Sequence, residues 1–428
     1  MMNGMNANNY FFLDDYYMLV TLLIVASVAL LLLYLLRLRH YNLLKKYAGW
    51  QNESQDIETA THDALQERDE RLAGSSGYPF ISIIIPTNER DKGLNALLDV
   101  LLKQRYLGAF EVVIADEDNR ADLKDYVDYL ANEFSHLRYT FVPTSSRNIE
   151  KRKLALTLGI KAARGIWAII VNADCTPCDD HWLQHYAQNL TEDIDFAQAY
   201  YNYEDDGSYV ARRAIFERMT DYAERLYAKD NNRVLGCNQS NWAVRKEWFF
   251  QQEGFVDSLQ LAFGEEFLFA TVHAEADKTA MLCSPTTALK EDLPTRHTLD
   301  TLRVEKAELR HRARSKFQRI SWTSNIASVA TYLNILSIVC YPILRFVCNG
   351  GEEIMWTAKY LSADIIYVLL IAASILLPIV QGRIGLKVLD EHMHGFYLFA
   401  YNLFRPWYTL STTLRRWGHQ RDFERKYL

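Results

Sequence analysis

Short apolar stretches that each run into a polar, carboxylate-bearing turn are the strongest constraint on how this chain folds. The pattern occurs at Ile81–Ile85, at Glu111–Ala115 before Asp116, and in the apolar stretch that precedes Asp174. Leucines at helical spacing over residues 94–102 follow the first stretch. Strands that alternate with amphipathic helices are typical of a parallel sheet covered on both faces. The sequence therefore predicts an α/β domain with a mostly parallel sheet.

The polar turns after these strands are the first candidates for a binding site. In open α/β sheets, ligands bind at the carboxyl ends of the strands, so Thr87, Glu89, Asp116 and Asp174 are expected to converge. A carboxylate at such a strand end is suited to holding a divalent metal against a phosphate. For Asp174 the competing interpretation is a turn residue that caps the helix starting near Asp179.

Six segments in order resemble the family 2 inverting glycosyltransferases of the GT-A fold, from Tyr78 to Trp322. The opening Ile-Ile-Ile-Pro-Thr-Asn-Glu resembles that family's first strand and turn, and Asn172-Ala-Asp174 stands where the family has Asp-x-Asp. The resemblance is spread over most of the predicted domain. The matching segments are 83–89, 111–119, 151–165, 172–174, 236–255 and 264–266.

The resemblance implies a nucleotide diphosphate sugar as donor, with a uridine nucleotide as the first guess. Mg²⁺ or Mn²⁺ would be held by Asp174 with help from Asn172, and would neutralise the departing diphosphate. Glu266, or Glu265 as second choice, would act as the base that deprotonates an acceptor hydroxyl. The implied substrate-binding residues are Pro86, Thr87, Glu89, Asp116, Lys153, Asn172, Asn241 and Arg245.

Three departures from the family pattern leave alternatives open. Asn172 replaces the first Asp, which removes one charge from the metal site and predicts weaker metal affinity. Glu266 replaces the usual Asp, and Glu265 with Glu266 also fits an acidic first turn favoured by the helix dipole. Ser321 stands at the Arg position of the Gln-x-x-Arg-Trp motif of processive synthases. A processive polysaccharide synthase and a catalytically inactive membrane scaffold therefore remain alternatives.

Other functional classes find less support in the sequence. A nucleotidyltransferase would normally show a Gly-rich loop after the first strand, and residues 87–91 contain no glycine. With 428 residues and a net charge of -6, the chain gives no indication of a nucleic-acid partner. The Cys175–Cys178 pair has redox-motif spacing, but no second pair completes a zinc site, so we interpret it as incidental to the metal loop.

Three long apolar runs predict a multi-pass membrane protein. The first run, Tyr16–Leu36, carries acidic residues before it and basic residues after it, which places the segment after residue 36 in the cytoplasm. The second and third runs read as an out-and-back hairpin. The predicted organisation is 1–15 external N-terminal tail, 16–36 transmembrane helix, 37–77 cytoplasmic linker, 78–322 GT-A glycosyltransferase domain, 323–345 transmembrane helix, 346–359 external loop, 360–381 transmembrane helix, and 382–428 cytoplasmic interfacial helix and basic tail.

This organisation predicts the location and the acceptor class. The catalytic domain would lie on the cytoplasmic side of a bacterial inner membrane, where nucleotide sugars are available. The aromatic residues between Gly395 and Trp417 are typical of a helix that lies along the membrane surface. Packing against the catalytic domain is an equally good interpretation of this segment. The predicted acceptor is a glycan or a lipid-linked molecule.

Overall fold

The computed structural model forms two compact units. It describes residues 20–35, 38–49, 78–144, 150–259, 261–313, 332–344, 346 and 361–425. One unit comprises Met1–Asn42, Gln318–Ile384 and Met393–Leu410, and the other comprises Leu43–Phe317, Gly385–His392 and Ser411–Leu428. The second unit contains every strand described below.

Within these described residues, ten strands form two sheets. The strands are β1 Ile81–Thr87, β2 Phe110–Asp116, β3 Leu137–Phe141, β4 Trp167–Ile170, β5 Cys175–Pro177, β6 Phe196–Ala199, β7 Tyr201–Tyr203, β8 Trp242–Arg245, β9 Thr279–Leu282 and β10 Leu289–Glu291. The main sheet has the order β3-β2-β1-β4-β8-β6-β9, and the small sheet has the order β5-β10-β7. Strands β1 to β4 are mutually parallel, whereas β8 runs antiparallel to both β4 and β6. The prediction of a mostly parallel sheet is thus refined to a mixed sheet, because apolar periodicity does not encode strand direction.

Helices cover both faces of the main sheet, and further helices form the other unit. In chain order they are α1 Val20–Gly49, α2 Leu94–Leu101, α3 Ala121–Ala131, α4 Lys151–Ala162, α5 Trp182–Ala187, α6 Tyr209–Asp230, α7 Lys246–Gln251, α8 Glu265–His273, α9 Arg296–Arg312, α10 Tyr332–Leu344, α11 Leu361–Val388 and α12 Gly395–Arg425. On one face of the sheet, α2 buries its predicted leucine stripe against β1 and β2. On the other, α4 approaches β1 so closely that a Cβ at Gly159 would lie 2.5 Å from Ile84 Cγ2. Only glycine fits there.

The strand register brings the polar turns together. Thr87 pairs with Asp116, and Asp116 pairs with Phe141 on the next strand, so three strands end at the same edge. The chain between β1 and α2 and the chain after β4 leave the sheet at that edge. The edge positions the candidate site.

The described part of the other unit is helical and apolar. By length and composition alone, Val20–Gly49 and Ala363–Val388 are long and apolar enough to cross a membrane, and Tyr332–Leu344 is a shorter apolar helix. These helices overlap the three predicted spans, although α1 extends beyond residue 36 and α11 beyond residue 381. Residues 1–19, 50–77 and 347–360, together with the Gln318–Trp322 motif, lie outside the described residues.

Candidate active site

Asp116 is the centre of a hydrogen-bond network at the ends of β1, β2 and β3. Its carboxylate is buried and accepts hydrogen bonds from the Tyr139 hydroxyl at 2.8 Å and from Arg120 Nε at 3.0 Å. Arg120 Nη2 in turn donates to Thr87 Oγ1 at 3.2 Å. The side chain of Glu89 is exposed, and its backbone N–H donates to the neighbouring Asp118 turn. The structure therefore joins Thr87 to Asp116 through Arg120, a residue that the sequence did not single out.

Asp174 lies after β4 and contacts the start of α2. Its Oδ1 accepts the backbone N–H groups of Lys92 at 3.1 Å and of Gly93 at 2.8 Å. A carboxylate that accepts backbone N–H groups at a helix start stabilises that helix. Both amides precede Leu94, the first residue of α2, so Asp174 is not the side-chain cap of α2, and it does not cap the helix after Asp179 either. Asp174 combines this structural role with its position at the strand edge.

Asn172 is held by a cation from helix α4. Arg152 Nη2 donates to Asn172 Oδ1 at 2.9 Å and to the Gln239 carbonyl oxygen at 3.1 Å. The Arg152 guanidinium also forms an ion pair with Glu265, with 3.4 Å between Nε and Oε1. Arg152 therefore links the loop after β4 to the start of α8. The Asn172 oxygen that the sequence offered to a metal is already an acceptor in this link.

Asp174 is the predicted ligand of a divalent cation, so the metal-binding groups near it decide whether a cation can be held there. Within the described ranges, no group of three or more His, Cys, Asp or Glu side chains gathers as a metal site. Mg²⁺ is commonly held by one or two carboxylates together with substrate phosphates and waters. The residues at this edge therefore fit a cation held by the Asp174 carboxylate and phosphates, without a contribution from Asn172 in this arrangement.

Glu265 and Glu266 open helix α8 and have different surroundings. The helix follows Gly264, whose φ of +74° lies in the left-handed region that glycine adopts without strain. Both glutamates are 1% exposed, but Glu265 pairs with Arg152, whereas neither carboxylate oxygen of Glu266 has a hydrogen-bond partner among the described residues. Burial raises the pKa of Glu266, and the adjacent Glu265 carboxylate raises it further, while Arg152 opposes both effects. A buried carboxyl group with a raised pKa and free oxygens is equipped to accept a proton.

Glu117, the residue after β2, is a further titratable group near Arg152. Burial raises the pKa of Glu117 to about 7, and the Arg152 charge opposes this effect. The acidic side chains around Arg152 thus include two whose charged form is disfavoured by burial. The surroundings of Arg152 therefore carry less negative charge than they would if both Glu117 and Glu266 were ionised.

Two predicted substrate-binding residues have structural partners. Lys153 is buried, and its Nζ donates to the backbone carbonyl oxygens of Ser258 at 2.5 Å and Leu261 at 2.8 Å. Asn241 is fully buried, and its Nδ2 donates to two backbone carbonyl oxygens at 2.6 and 2.9 Å. These hydrogen bonds use the Lys153 ammonium and the Asn241 amide nitrogen, whereas Asn241 Oδ1 has no hydrogen-bond partner among the described residues.

Arg245 lies apart from the other predicted residues. It ends β8 opposite Trp167, which is the first residue of β4, so it belongs to the amino-terminal edge of that strand. Its guanidinium donates to backbone carbonyl oxygens of residues 191–194, including Ile194 at 2.8 Å. The structure does not bring Arg245 to the edge that carries Asp174.

The cysteine pair has separate partners. Cys175 is buried, with its Sγ 3.2 Å from Ser240 Oγ, and Cys178 is exposed and donates to the Thr286 carbonyl oxygen at 2.9 Å. Both cysteines are free thiols.

The key residues that sequence reasoning ranked too low are Arg152 and Arg120. Three consecutive basic residues open α4, and neighbours on a helix point about 100° apart, so a run of this kind does not reveal which one faces inward. For Arg120, the sequence offered no such signal, because Asp116 ends strand β2 and Arg120 lies in the turn before α3.

Comparisons with known proteins complete the description of the site. Residues 82–250 match the family model described as glycosyl transferase family 2. No protein of curated function matches the chain.

Several solved structures are similar to the chain at low sequence identity. A mannosyltransferase from Pyrobaculum calidifontis, in complex with GDP-Man and Mn²⁺, is 14% identical with a TM-score of 0.45, covering 81% of this chain and 98% of its own. S. aureus TarS 1-349 with UDP-GlcNAc is 15% identical with a TM-score of 0.38, covering 75% and 90%. GalNAc-T7 with UDP, GalNAc and Mn²⁺ is 14% identical with a TM-score of 0.37, covering 52% and 45%.

The family match spans β1 to α7, the part of the chain that builds the edge carrying Asp116, Arg152 and Asp174. The α/β domain therefore carries the sequence pattern of glycosyl transferase family 2 over residues 82–250, and this match identifies the protein as a glycosyltransferase.

Proposed function

We propose that this protein transfers a sugar from a nucleotide diphosphate sugar to a hydroxyl group of a glycan or lipid-linked acceptor, with inversion at the anomeric carbon. The observation that carries the proposal is the state of Glu266. Its carboxyl group is buried, its two oxygens have no hydrogen-bond partner in the described part of the chain, and its pKa is raised. A general base in a direct displacement needs these properties.

The donor would lie across the carboxyl edge of the parallel strands. Its nucleoside would contact Pro86, Thr87, Glu89 and the network centred on Asp116, which fixes the ends of β1 and β2. Because these groups are already held by one another, they are ordered before the donor binds, which lowers the entropic cost of binding. A uridine nucleotide remains our first choice of donor.

The diphosphate would face the start of α4 and the loop after β4. Lys151 Nζ contacts Asp118 at 2.6 Å and is more than half exposed, so it can turn toward a phosphate. Arg152, at the link between Asn172 and Glu265, supplies a fixed positive charge at the same edge. Mg²⁺ or Mn²⁺ held by Asp174 would, when bound, neutralise charge on the departing diphosphate.

The acceptor hydroxyl would approach Glu266 from the opposite side to the diphosphate. Glu266 takes its proton as the oxygen attacks the anomeric carbon, and the sugar–phosphate bond breaks on the far face. Glu265 pairs with Arg152, and the adjacent Glu265 carboxylate disfavours a negative charge on Glu266, which raises the pKa of Glu266.

We further propose that the protein resides in a bacterial inner membrane, with the catalytic domain on the cytoplasmic side. The two long apolar helices and the basic residues after the first apolar run support this placement. A membrane location would present the site to lipid-linked acceptors.

The test is release of nucleoside diphosphate from a panel of nucleotide sugars, with and without membrane lipid extract. The full-length protein in detergent is compared with the Glu266→Gln variant. Acceptor-dependent release by the wild type that falls by about two to four orders of magnitude in Glu266→Gln supports the proposal. Absence of release from every donor favours the scaffold alternative, and long products favour a processive synthase.

A further inference from the structure

A cleft between helices α6 and α9 leads to Glu266. We call it the α6–α9 cleft, and the lining residues used below are Tyr201, Arg218, Arg225, Glu266, Arg303 and Lys306. Because Glu266 lines this cleft, the proposed acceptor hydroxyl would enter through it. The inference below therefore rests on the proposed function and concerns the chemical class of the acceptor.

Most cations in the cleft already have carboxylate partners. Arg218 pairs with Glu291 at 3.0 Å, and its guanidinium lies 4.0 Å from the centre of the Tyr201 ring. Arg303 pairs with Glu217 at 2.7 Å. Lys306 pairs with Asp221. These side chains are neutralised within the protein.

Arg225 differs from these three residues. It is 6% exposed, and its Nη1 donates to the side-chain oxygens of Asn238 at 2.7 Å and Gln198 at 3.5 Å. In the described part of the chain, no carboxylate lies within ion-pair distance of its guanidinium. Burial lowers the pKa of Arg225 to about 10, with the Arg310 and Arg218 charges contributing, so the side chain is still positively charged at neutral pH.

A buried charge without a counter-charge is costly, and proteins seldom retain one without a function. Neutral amide oxygens satisfy two of the Arg225 hydrogen bonds but supply no negative charge. The remaining N–H groups and the net charge match an anionic group, which guanidinium binds through charge-assisted hydrogen bonds. Arg225 and Glu266 line the same cleft, so one molecule can reach both.

We propose that the α6–α9 cleft binds an acceptor that carries a phosphate or carboxylate group, with the anion on Arg225 and the reacting hydroxyl facing Glu266. The competing interpretation is that Arg225 only holds the 236–239 segment through Asn238. The two interpretations predict different effects of an Arg225 substitution on the melting temperature. Replacing a purely structural Arg225 lowers the melting temperature, whereas removing an uncompensated buried charge leaves the melting temperature unchanged or raises it.

The test measures binding of three small probes to the full-length protein by titration calorimetry at low salt. The probes are methyl glucoside, methyl glucuronide and methyl glucoside 6-phosphate, so the carboxylate and phosphate sources have separate arms. We expect at least one charged probe to bind about tenfold or more tightly than the neutral one. Arg225→Gln should remove that advantage without lowering the melting temperature, and Arg225→Lys should keep part of it.

Arg212→Gln is the matched control, because Arg212 lies on the same helix, pairs with Asp205 and does not line the cleft. It should bind all three probes as the wild type does. Equal affinity of the wild type for all three probes, or a charged-probe advantage that survives in Arg225→Gln, would overturn the proposal. If the charged probes instead bound at the donor edge, their advantage would survive in Arg225→Gln. Loss of the advantage in that variant therefore excludes binding at the donor edge. Diphosphate release without acceptor tests the proposed function separately, so the two ideas can fail independently.

Discussion

Arg152 Nη2 donates a hydrogen bond of 2.9 Å to Asn172 Oδ1. The residue at the place of the family's first Asp is thus bound to a partly exposed cation that also pairs with Glu265. A neutral amide at position 172 leaves the Arg152 charge to be shared with the glutamates of α8. An Asp at this position would compete for the same guanidinium.

The first prediction concerns this competition. Asn172→Asp should form an ion pair with Arg152, so metal affinity should change by less than about threefold, because the new charge is neutralised. In the double variant with Arg152→Gln, the carboxylate introduced at position 172 no longer has an ion-pair partner at position 152. The double variant should therefore bind the metal more tightly than Asn172→Asp alone. Metal titration of donor binding in a double-mutant cycle measures this coupling. Additive effects of the two substitutions would contradict it.

The second prediction separates the two roles of Asp174. Asp174→Asn keeps an oxygen acceptor for the Lys92 and Gly93 amides, so the free energy of unfolding should change little. It removes the charge, so metal-dependent donor binding should be lost. Asp174→Ala should lose both metal-dependent donor binding and the two amide hydrogen bonds, and the lost hydrogen bonds should cost about 1 kcal/mol of stability. Denaturant unfolding and donor titration with and without Mn²⁺ provide the two readouts. Equal metal response of wild type and Asp174→Asn would show that this carboxylate holds no metal.

The third prediction separates Glu266 from Glu265. Glu266→Gln cannot accept a proton, so transfer should fall by about two to four orders of magnitude while donor affinity stays similar. Glu265→Gln removes the carboxylate that pairs with the partly exposed Arg152 and should lower the free energy of unfolding by about 1 to 2 kcal/mol. Initial rates, donor affinity and unfolding curves are measured for both variants. A larger rate loss in a folded Glu265→Gln would exchange the two roles.

The fourth prediction is a pH dependence of stability. Because the pKa of Glu266 is raised in the folded protein, the native state holds this proton where the unfolded chain releases it. The free energy of unfolding therefore falls as the pH rises from the ordinary carboxylate range through the raised pKa. The loss is about 1.4 kcal/mol for each pH unit that separates the folded from the unfolded pKa of this carboxyl group. Glu266→Gln should abolish this pH dependence and should be more stable than the wild type above the raised pKa.

Denaturant unfolding of the wild type and of Glu266→Gln at pH 5 and pH 8.5 measures the difference in the free energy of unfolding between the two proteins at each pH. The activity of the wild type should rise over the same range, because the base becomes deprotonated. A stability difference between the two proteins that is the same at both pH values would contradict the prediction.

The fifth prediction concerns topology and follows from the charges around the apolar runs. Reporters fused after Arg39, within 118–120 or at the carboxyl terminus should be cytoplasmic, and one in 350–353 should be external. Paired alkaline phosphatase and fluorescent protein fusions make this measurement. A catalytic domain outside the cell would contradict the use of a nucleotide sugar donor.

The sequence by itself determined the α/β alternation and the strand ends at which the candidate site lies. Apolar runs and helical leucine spacing depend on local burial, so β1, β2 and α2 lie close to where the sequence predicts them. The polar turns after these strands also predicted that Thr87 and Asp116 lie at the same edge of the sheet, and the register pairs these two residues.

Only the tertiary structure decided which polar side chains are free to act. Lys153 and Arg152 are neighbours in sequence, yet Lys153 is bonded to backbone carbonyls and Arg152 joins Asn172 to Glu265. Glu265 and Glu266 are equally buried, yet within the described ranges one is paired and the other is not. The partner of a side chain depends on contacts between residues far apart in the chain, and the direction of β8 and the lone charge of Arg225 depend on such contacts too. The local sequence pattern does not predict these long-range contacts. It reflects the burial and periodicity of each segment and not which residue of a distant segment a side chain contacts.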